Sequence, residues 1–273
     1  MDYLDAVVLG IVEGLTEFLP ISSTGHLTIA EQLLGLEVDD PAVTAFTAVI
    51  QMGAIAAVIL YFFGDIRRIA TAWGRGLVKP EHRGDYDHRM GWFIIVGSLP
   101  IGVVGFAAQD LITGPLRSLW VVAAALIAWS AVMLYAERRA RQDRGEGEVT
   151  LADAAIIGLV QCFALIPGVS RSGATISAGL LRGLDRVAAT RLAFFLGVPS
   201  LTAAGLYELK DVGGIDVGVT VVGTLVSFAV AYASIAWLLR FVAHHSIGAF
   251  VPYRVGLGLL LILLLGTGVL TAT

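Results

Sequence analysis

Five ionisable side chains stand within apolar stretches of this chain: Glu13, Glu17, His26, Arg171 and Arg254. A charged residue at the centre of a bilayer costs roughly 2.5 to 3.5 kcal/mol on insertion scales, so each of these needs a partner or a task. Glu13 and Glu17 are four residues apart, which on a helix sets both carboxylates on one face, a turn apart. Two like charges there repel, and a divalent cation removes the conflict. Mg2+ or Ca2+ prefers carboxylate oxygens and takes waters or phosphate oxygens as further ligands. The plainer alternative is a pair of neutral or hydrogen-bonded glutamates that only holds the chain's local shape.

The next residues run Pro20, Ile21, Ser22, Ser23, Thr24, Gly25 and His26. Ser and Thr are preferred helix N-caps, and the free N–H groups at such a start favour an anion. Capping does not account for His26, although a lone histidine in an apolar chain is more often a satisfied core residue than a catalyst. A second segment, Pro167 to Thr175, surrounds Arg171 with the hydroxyls of Ser170, Ser172 and Thr175 and with Gly168 and Gly173. Arginine offers a planar fork of donors that matches a phosphate and keeps its charge at any ordinary pH. The alternative here is a salt bridge from Arg171 to Glu17 across the two segments, and some of that pairing is expected without ligand.

These segments must be positioned by elements suited to a bilayer. The chain has 273 residues, of which 57% are hydrophobic and 15% charged, with mean hydropathy +0.82; a soluble domain carries about 25% charged residues. About 20 apolar residues cross the hydrocarbon core, and six stretches qualify, near 43–63, 90–110, 117–136, 191–209, 217–239 and 249–271. Two more, near 4–36 and 151–185, are interrupted by PISSTGH and PGVSRSG and read as re-entrant helical hairpins, because broken backbone at membrane depth must be buried or line a wet cavity. The expected fold is an all-α integral membrane protein with six transmembrane helices plus two re-entrant hairpins, in one membrane domain over 1–273. The N-terminus lacks the basic region of a secretory signal, so no cleavage is expected. The single Cys162 excludes an intrachain disulfide.

Fourteen of the eighteen Lys and Arg residues fall in segments that alternate to one side: Arg67 to Arg89, Arg138 to Arg144, Arg182, Arg186, Arg191 and Arg240. The positive-inside rule makes that side cytoplasmic. Arg117 and Lys210, with Asp2, Asp5, Glu37, Asp39, Asp40, Asp110 and Asp211, then lie outside. Two halves, 1–138 and 149–273, resemble each other at an offset of 148 residues. Gly10, Ser22 and Gly25 fall on Gly158, Ser170 and Gly173, while Glu13 falls on Gln161 and Ser23 on Arg171. Three spans per half make this an inverted-topology repeat, which places both hairpin tips together near the midplane.

The string EGLTEFLPISSTGH (Glu13 to His26) together with PGVSRSGAT (Pro167 to Thr175) resembles the undecaprenyl-diphosphatase family, also known as the bacitracin-resistance proteins. The tail GAFVPYR (Gly248 to Arg254) is similar to the family's final segment. The likeness spans nearly the whole chain. It implies a metal-dependent membrane phosphatase that converts undecaprenyl diphosphate to the monophosphate and recycles the carrier of cell-wall and surface-glycan synthesis. It also maps the family's carboxylate pair, serine, histidine and arginine onto Glu13, Glu17, Ser23, His26 and Arg171.

Joined, these readings give the following expectations. Ser23, His26, Arg171 and Glu17 are catalytic; Ser22, Thr24, Gly25, Ser170, Arg171, Ser172 and Thr175 bind substrate; Glu13 and Glu17 hold Mg2+ or Ca2+. Ser23 is the preferred nucleophile with His26 as its base, and attack by water or by His26 stays open. The partner is a polyprenyl diphosphate lipid, its tail leaving sideways near Trp92, Phe93 and Phe106. The site faces the outside of a plasma membrane. No nucleic-acid partner is expected, and a homodimer is open. The rival function is a lipid-carrier flippase built on the same site, since broken helices in inverted repeats also serve transport.

Overall fold

A computed structural model describes residues 1–38, 40–208 and 216–272. Lys210, Asp211 and Asp39, expected on the outer side, lie outside the described residues. Helices α1 (Tyr3–Thr16) and α2 (Ser23–Leu33) form a first pair. α3 (Pro41–Tyr61), α4 (Phe63–Val78), α5 (Tyr86–Ala107), the short α6 (Gln109–Thr113) and α7 (Leu119–Arg139) complete the first half. A second pair, α8 (Leu151–Gln161) and α9 (Arg171–Leu181), is followed by α10 (Arg186–Glu208), α11 (Val217–His244) and α12 (Val251–Gly266). No strand occurs among the described residues.

Among the described residues, six helices are long and apolar enough to cross a membrane: Pro41–Tyr61, Tyr86–Ala107, Leu119–Arg139, Arg186–Tyr207, Val217–His244 and Ile247–Gly266. They are the six expected stretches within a few residues. The two pairs are shorter, 14 and 11 residues in the first and 11 and 11 in the second.

Both pairs begin and turn by the same devices. The Asp2 carboxylate accepts from the Leu4 and Asp5 N–H groups at 2.8 and 3.0 Å while Asp5 accepts from the Asp2 N–H at 2.8 Å. Thr150 and Asp153 repeat this capping box 148 residues later. At the turns, Ser22 and Ser170 adopt φ of 80° and 76°, and each immediately precedes an 11-residue helix.

Packing exchanges elements between the halves. α1 lies against α11, and α8 against α5. Gly10 and Gly14 of α1 allow this approach, since a Cβ there would stand 2.6 Å from the Gly223 carbonyl oxygen and 2.7 Å from that of Ser227; Gly158 of α8 meets Gly97 of α5 in the same way. The largest core cluster joins Phe18, Phe62, Phe194 and Phe195 with Met90, Ile157, Ile176 and Leu180. Phe18 meets Phe194 edge-on at 5.3 Å, which fixes the chain next to Glu17.

One element departs from expectation. The basic segment after residue 63 contains the 16-residue helix α4, where Ile66, Ile69 and Trp73 turn inward and Arg67, Arg68 and Arg75 stay accessible. Four of the arginines assigned to one side pair with nearby carboxylates. Asp153 binds Arg144 at 2.5 Å and Arg182 at 2.8 Å, Arg191 bridges Asp65 and Glu146 at 2.9 and 2.6 Å, and Arg186 pairs with Glu137 at 2.8 Å. Burial would raise the pKa of Asp153, but hydrogen bonds from Arg144, Arg182 and Thr150 outweigh it and hold this carboxyl well below the usual range.

Candidate active site

The turns of the two pairs touch. The Gly168 N–H donates to Ser22 Oγ at 3.0 Å, and Ser172 Oγ donates to the Leu19 carbonyl at 2.9 Å. Ser170 Oγ accepts from the Gly173 N–H at 3.2 Å and caps α9. Gly168, at φ +99°, approaches α7 so closely that a Cβ would lie 2.4 Å from the Val122 carbonyl oxygen. The turn therefore requires glycine on both conformational and steric grounds.

Around this junction the structure assembles a polar cluster. Glu17, at the end of α1, accepts from Arg171 Nη2 on Oε1 at 3.2 Å and from Ser23 Oγ on Oε2 at 2.7 Å. The other fork of Arg171 donates to the Ala193 carbonyl at 3.1 Å, and Gly197 of α10 makes room for it. The Nε–H of Arg171 is buried and has no partner. Both carboxylate oxygens of Glu13 are likewise buried and unpartnered. A guanidinium N–H without an acceptor and a carboxylate without a donor are costly in a protein interior, and they suit a phosphate oxygen and a cation respectively. Among the described residues no three His, Cys, Asp or Glu side chains cluster as a ready metal site. Glu13 thus fits a cation that keeps waters or phosphate oxygens as its other ligands.

His26 is held differently from the expected base of Ser23. Its Nδ1 lies 2.7 Å from the Ser22 carbonyl oxygen and its Nε2 2.6 Å from the Tyr253 hydroxyl. The Ser23 hydroxyl points at Glu17 instead. Of the residues expected to bind substrate, Ser172 and Thr175 are fully buried, with Thr175 Oγ1 donating to the Arg171 carbonyl at 2.8 Å. Ser22 and Ser170 are also engaged by backbone N–H groups, and Gly25 is buried beneath Val122. Thr24 lies exposed on the first turn of α2.

Sequence reasoning singled out Arg254 as a charge in an apolar helix but assigned it no task. It is fully buried, and it ties both turns together: Nη1 donates to the Pro20 carbonyl at 2.9 Å, Nη2 to those of Gly168 and Val169 at 2.9 and 3.1 Å, and Nε to Ser130 Oγ at 3.2 Å. Four satisfied hydrogen bonds explain why a guanidinium is tolerated there. Tyr253 was missed altogether, its only signal being its place beside Arg254 in the GAFVPYR tail.

Residues 6–260 match a family model described as bacitracin resistance protein BacA. The chain belongs to this family. It is 60% identical over 270 residues to undecaprenyl-diphosphatase 1 of Frankia alni, covering 98% of this chain and 97% of that one. Undecaprenyl-diphosphatase 1 of Streptomyces avermitilis is also 60% identical, over 269 residues and 97% of each chain. The undecaprenyl-diphosphatase of Cutibacterium acnes is 53% identical over the full length of both. With this membership, the six apolar helices are those of a multi-pass membrane protein.

Proposed function

We propose that the protein is an undecaprenyl-diphosphatase that releases the terminal phosphate of the lipid diphosphate at the junction of the two helix pairs. The observation that carries this reading is the meeting of Ser23 and Arg171 on the Glu17 carboxylate, a nucleophile and a phosphate-binding fork brought to one group from opposite halves of the chain. Full-length relatives named for that activity support it.

Ser23 Oγ attacks the terminal phosphorus in line and passes its proton to Glu17 Oε2, the acceptor it already faces. The phosphorus–oxygen bond to the lipid monophosphate breaks, and Arg171 offsets charge on the non-bridging oxygens. Water then attacks the phosphoserine and gives up its proton to His26 Nε2; the bond from phosphorus to Ser23 Oγ breaks, Glu17 returns its proton to Oγ, and inorganic phosphate leaves. This assignment moves the first proton from His26 to Glu17. Glu13 and Glu17 would hold the divalent cation, Mg2+ or Ca2+, which when bound lends positive charge to the phosphate oxygens.

The two helix pairs act as re-entrant hairpins of an inverted repeat, with the site open to the outside of the plasma membrane. The arginines assigned to one side, Arg144, Arg182, Arg186 and Arg191 among them, support that orientation. The prenyl tail leaves along an open apolar groove of about 400 Å³ lined by Leu15, Leu19, Val230 and Trp237. That groove begins beside the Leu19 turn, whereas Phe93, named for the exit from sequence, is buried.

The test is release of inorganic phosphate from undecaprenyl diphosphate by the purified protein in detergent. Micelles abolish transport and permit hydrolysis, so the flippase reading expects no release. Absence of phosphate release with Mg2+ or Ca2+ present would overturn the proposal. The cation is tested separately by thermal unfolding: a ligand that binds only the folded state raises Tm. Glu13→Gln should abolish that rise.

A further inference from the structure

Tyr253 stands at the start of α12, 227 residues from His26, and its ring lies nearly parallel to the imidazole at 5.6 Å between centroids. The hydroxyl also reaches Nε2 at 2.6 Å. The Ser22 carbonyl can only accept, so the 2.7 Å contact to His26 Nδ1 requires the proton on Nδ1. In neutral His26 the lone pair is consequently on Nε2, and Tyr253 donates to it. The ring is thus fixed at both nitrogens, one by its own hairpin and the other by a helix from the far end of the chain. Arg254, the next residue, pins that helix to both turns.

From this geometry we infer that Tyr253 is a catalytic residue of the reaction, its hydroxyl relaying to Nε2 of His26 the proton of the water that hydrolyses the phosphorylated intermediate. The inference rests on the phosphatase reading above. The Nε2 lone pair already accepts the Tyr253 O–H, so as the water attacks, the phenol passes that proton to Nε2 and its oxygen takes the proton of the water. The phenol thus ends with one proton, as it began, and His26 ends as the imidazolium. A purely structural tyrosine would contribute its ring face alone, and phenylalanine would replace it fully.

The decisive variant is Tyr253→Phe, with Tyr253→Leu to separate the ring from the hydroxyl. In Tyr253→Phe, kcat should fall about tenfold, equivalent to about 1.4 kcal/mol, while KM stays within about twofold of wild type, as expected when an interaction made only in the transition state is lost. Tyr253→Leu should lose no less. The second readout is the ¹⁵N spectrum of histidine-labelled protein without substrate. The five histidines are resolved by assigning His26 from the signal missing in His26→Gln. Removal of the hydroxyl should move the His26 Nε2 resonance downfield, towards that of a free pyridine-type nitrogen, while Nδ1 stays protonated. A wild-type kcat in Tyr253→Phe would overturn the inference, and so would a lowered kcat with an unmoved His26 resonance. If the wild type released no phosphate, the phosphatase reading itself would fall, and the spectrum would still report whether the hydroxyl holds the imidazole.

Discussion

The two short helix pairs share a backbone and divide the chemistry. Each opens with a capping box, turns on a serine at positive φ and continues into an 11-residue helix. At equivalent positions, however, Glu13 faces Gln161, Ser23 faces Arg171 and His26 faces Ala174. Their surroundings differ as well. In α9 every residue from Arg171 to Leu180 is buried, whereas α2 buries only Gly25, Leu27, Thr28 and Glu31. The second pair carries the guanidinium on a packed helix, whereas the first carries its hydroxyl and imidazole on the more accessible α2 and keeps both carboxylates buried at the end of α1. Two matched turns thus carry different side chains, a hydroxyl and an imidazole after one and a guanidinium after the other.

The largest effect should come from making the first pair resemble the second. Glu13→Gln installs the residue that the second pair already buries at this position, so the fold should tolerate it. Turnover should fall at least a hundredfold, about 2.7 kcal/mol, because the charge that suits a cation is gone. Phosphate release and a thermal melt measure both. Near-normal turnover would mean that the difference between Glu13 and Gln161 is not functional. The reverse exchange, Gln161→Glu, buries a carboxylate with no counter-charge and should lower Tm without raising activity.

Next in size is the link between the turns. Ser22→Ala removes the acceptor of the buried Gly168 N–H and should destabilise by about 2 kcal/mol, the penalty for an unsatisfied buried donor. Ser170→Ala removes an N-cap within its own pair, which costs about 1 kcal/mol. Equal losses in denaturant unfolding would show that the two serines do the same job. Arg171→Lys follows: it keeps the charge but loses the planar fork, and kcat should fall about tenfold with a smaller change in substrate affinity. Near-normal kcat would leave Arg171 only a tie to Glu17.

How much of this could be read from the sequence depends on the range of each interaction. The six spans follow from length and hydropathy, and the meeting of the turns was expected from the likeness of the two segments at an offset of 148 residues. α4 was not recognised because Arg67, Arg68 and Arg75 mark the segment as a polar loop, while its helical spacing of Ile66, Ile69 and Trp73 is too brief to stand out. The partner of Ser23 depended on side-chain direction, since it is Glu17, six residues away, rather than the nearer His26. Tyr253 and Arg254 reach residues up to 234 positions away, and no local pattern announces such partners.

The smallest effect concerns the bases of the two pairs, where Asp5 and Asp153 hold equivalent places in their capping boxes. Asp5 is solvent-accessible, and among the described contacts its carboxylate serves only the Asp2 N–H. Asp153 is buried, receives Arg144 and Arg182, and has a folded-state pKa below its unfolded value. A depressed carboxylate pKa adds stability that is fully present above the unfolded value of about 3.9 and is lost as pH falls towards the folded value. Both arginines are partly exposed, so solvent screening limits the contribution to about 1 kcal/mol. Asp153→Asn should therefore lower Tm at pH 7, and the gap from wild type should close on acidification below about pH 4. Asp5→Asn should show a smaller gap at neutral pH. Melts of both variants from pH 7 down to the lowest pH at which the protein stays folded measure the difference. Parallel curves for Asp153→Asn and wild type throughout would mean that its arginines add nothing beyond the helix cap, and the two bases would then be equivalent in energy as well as in form.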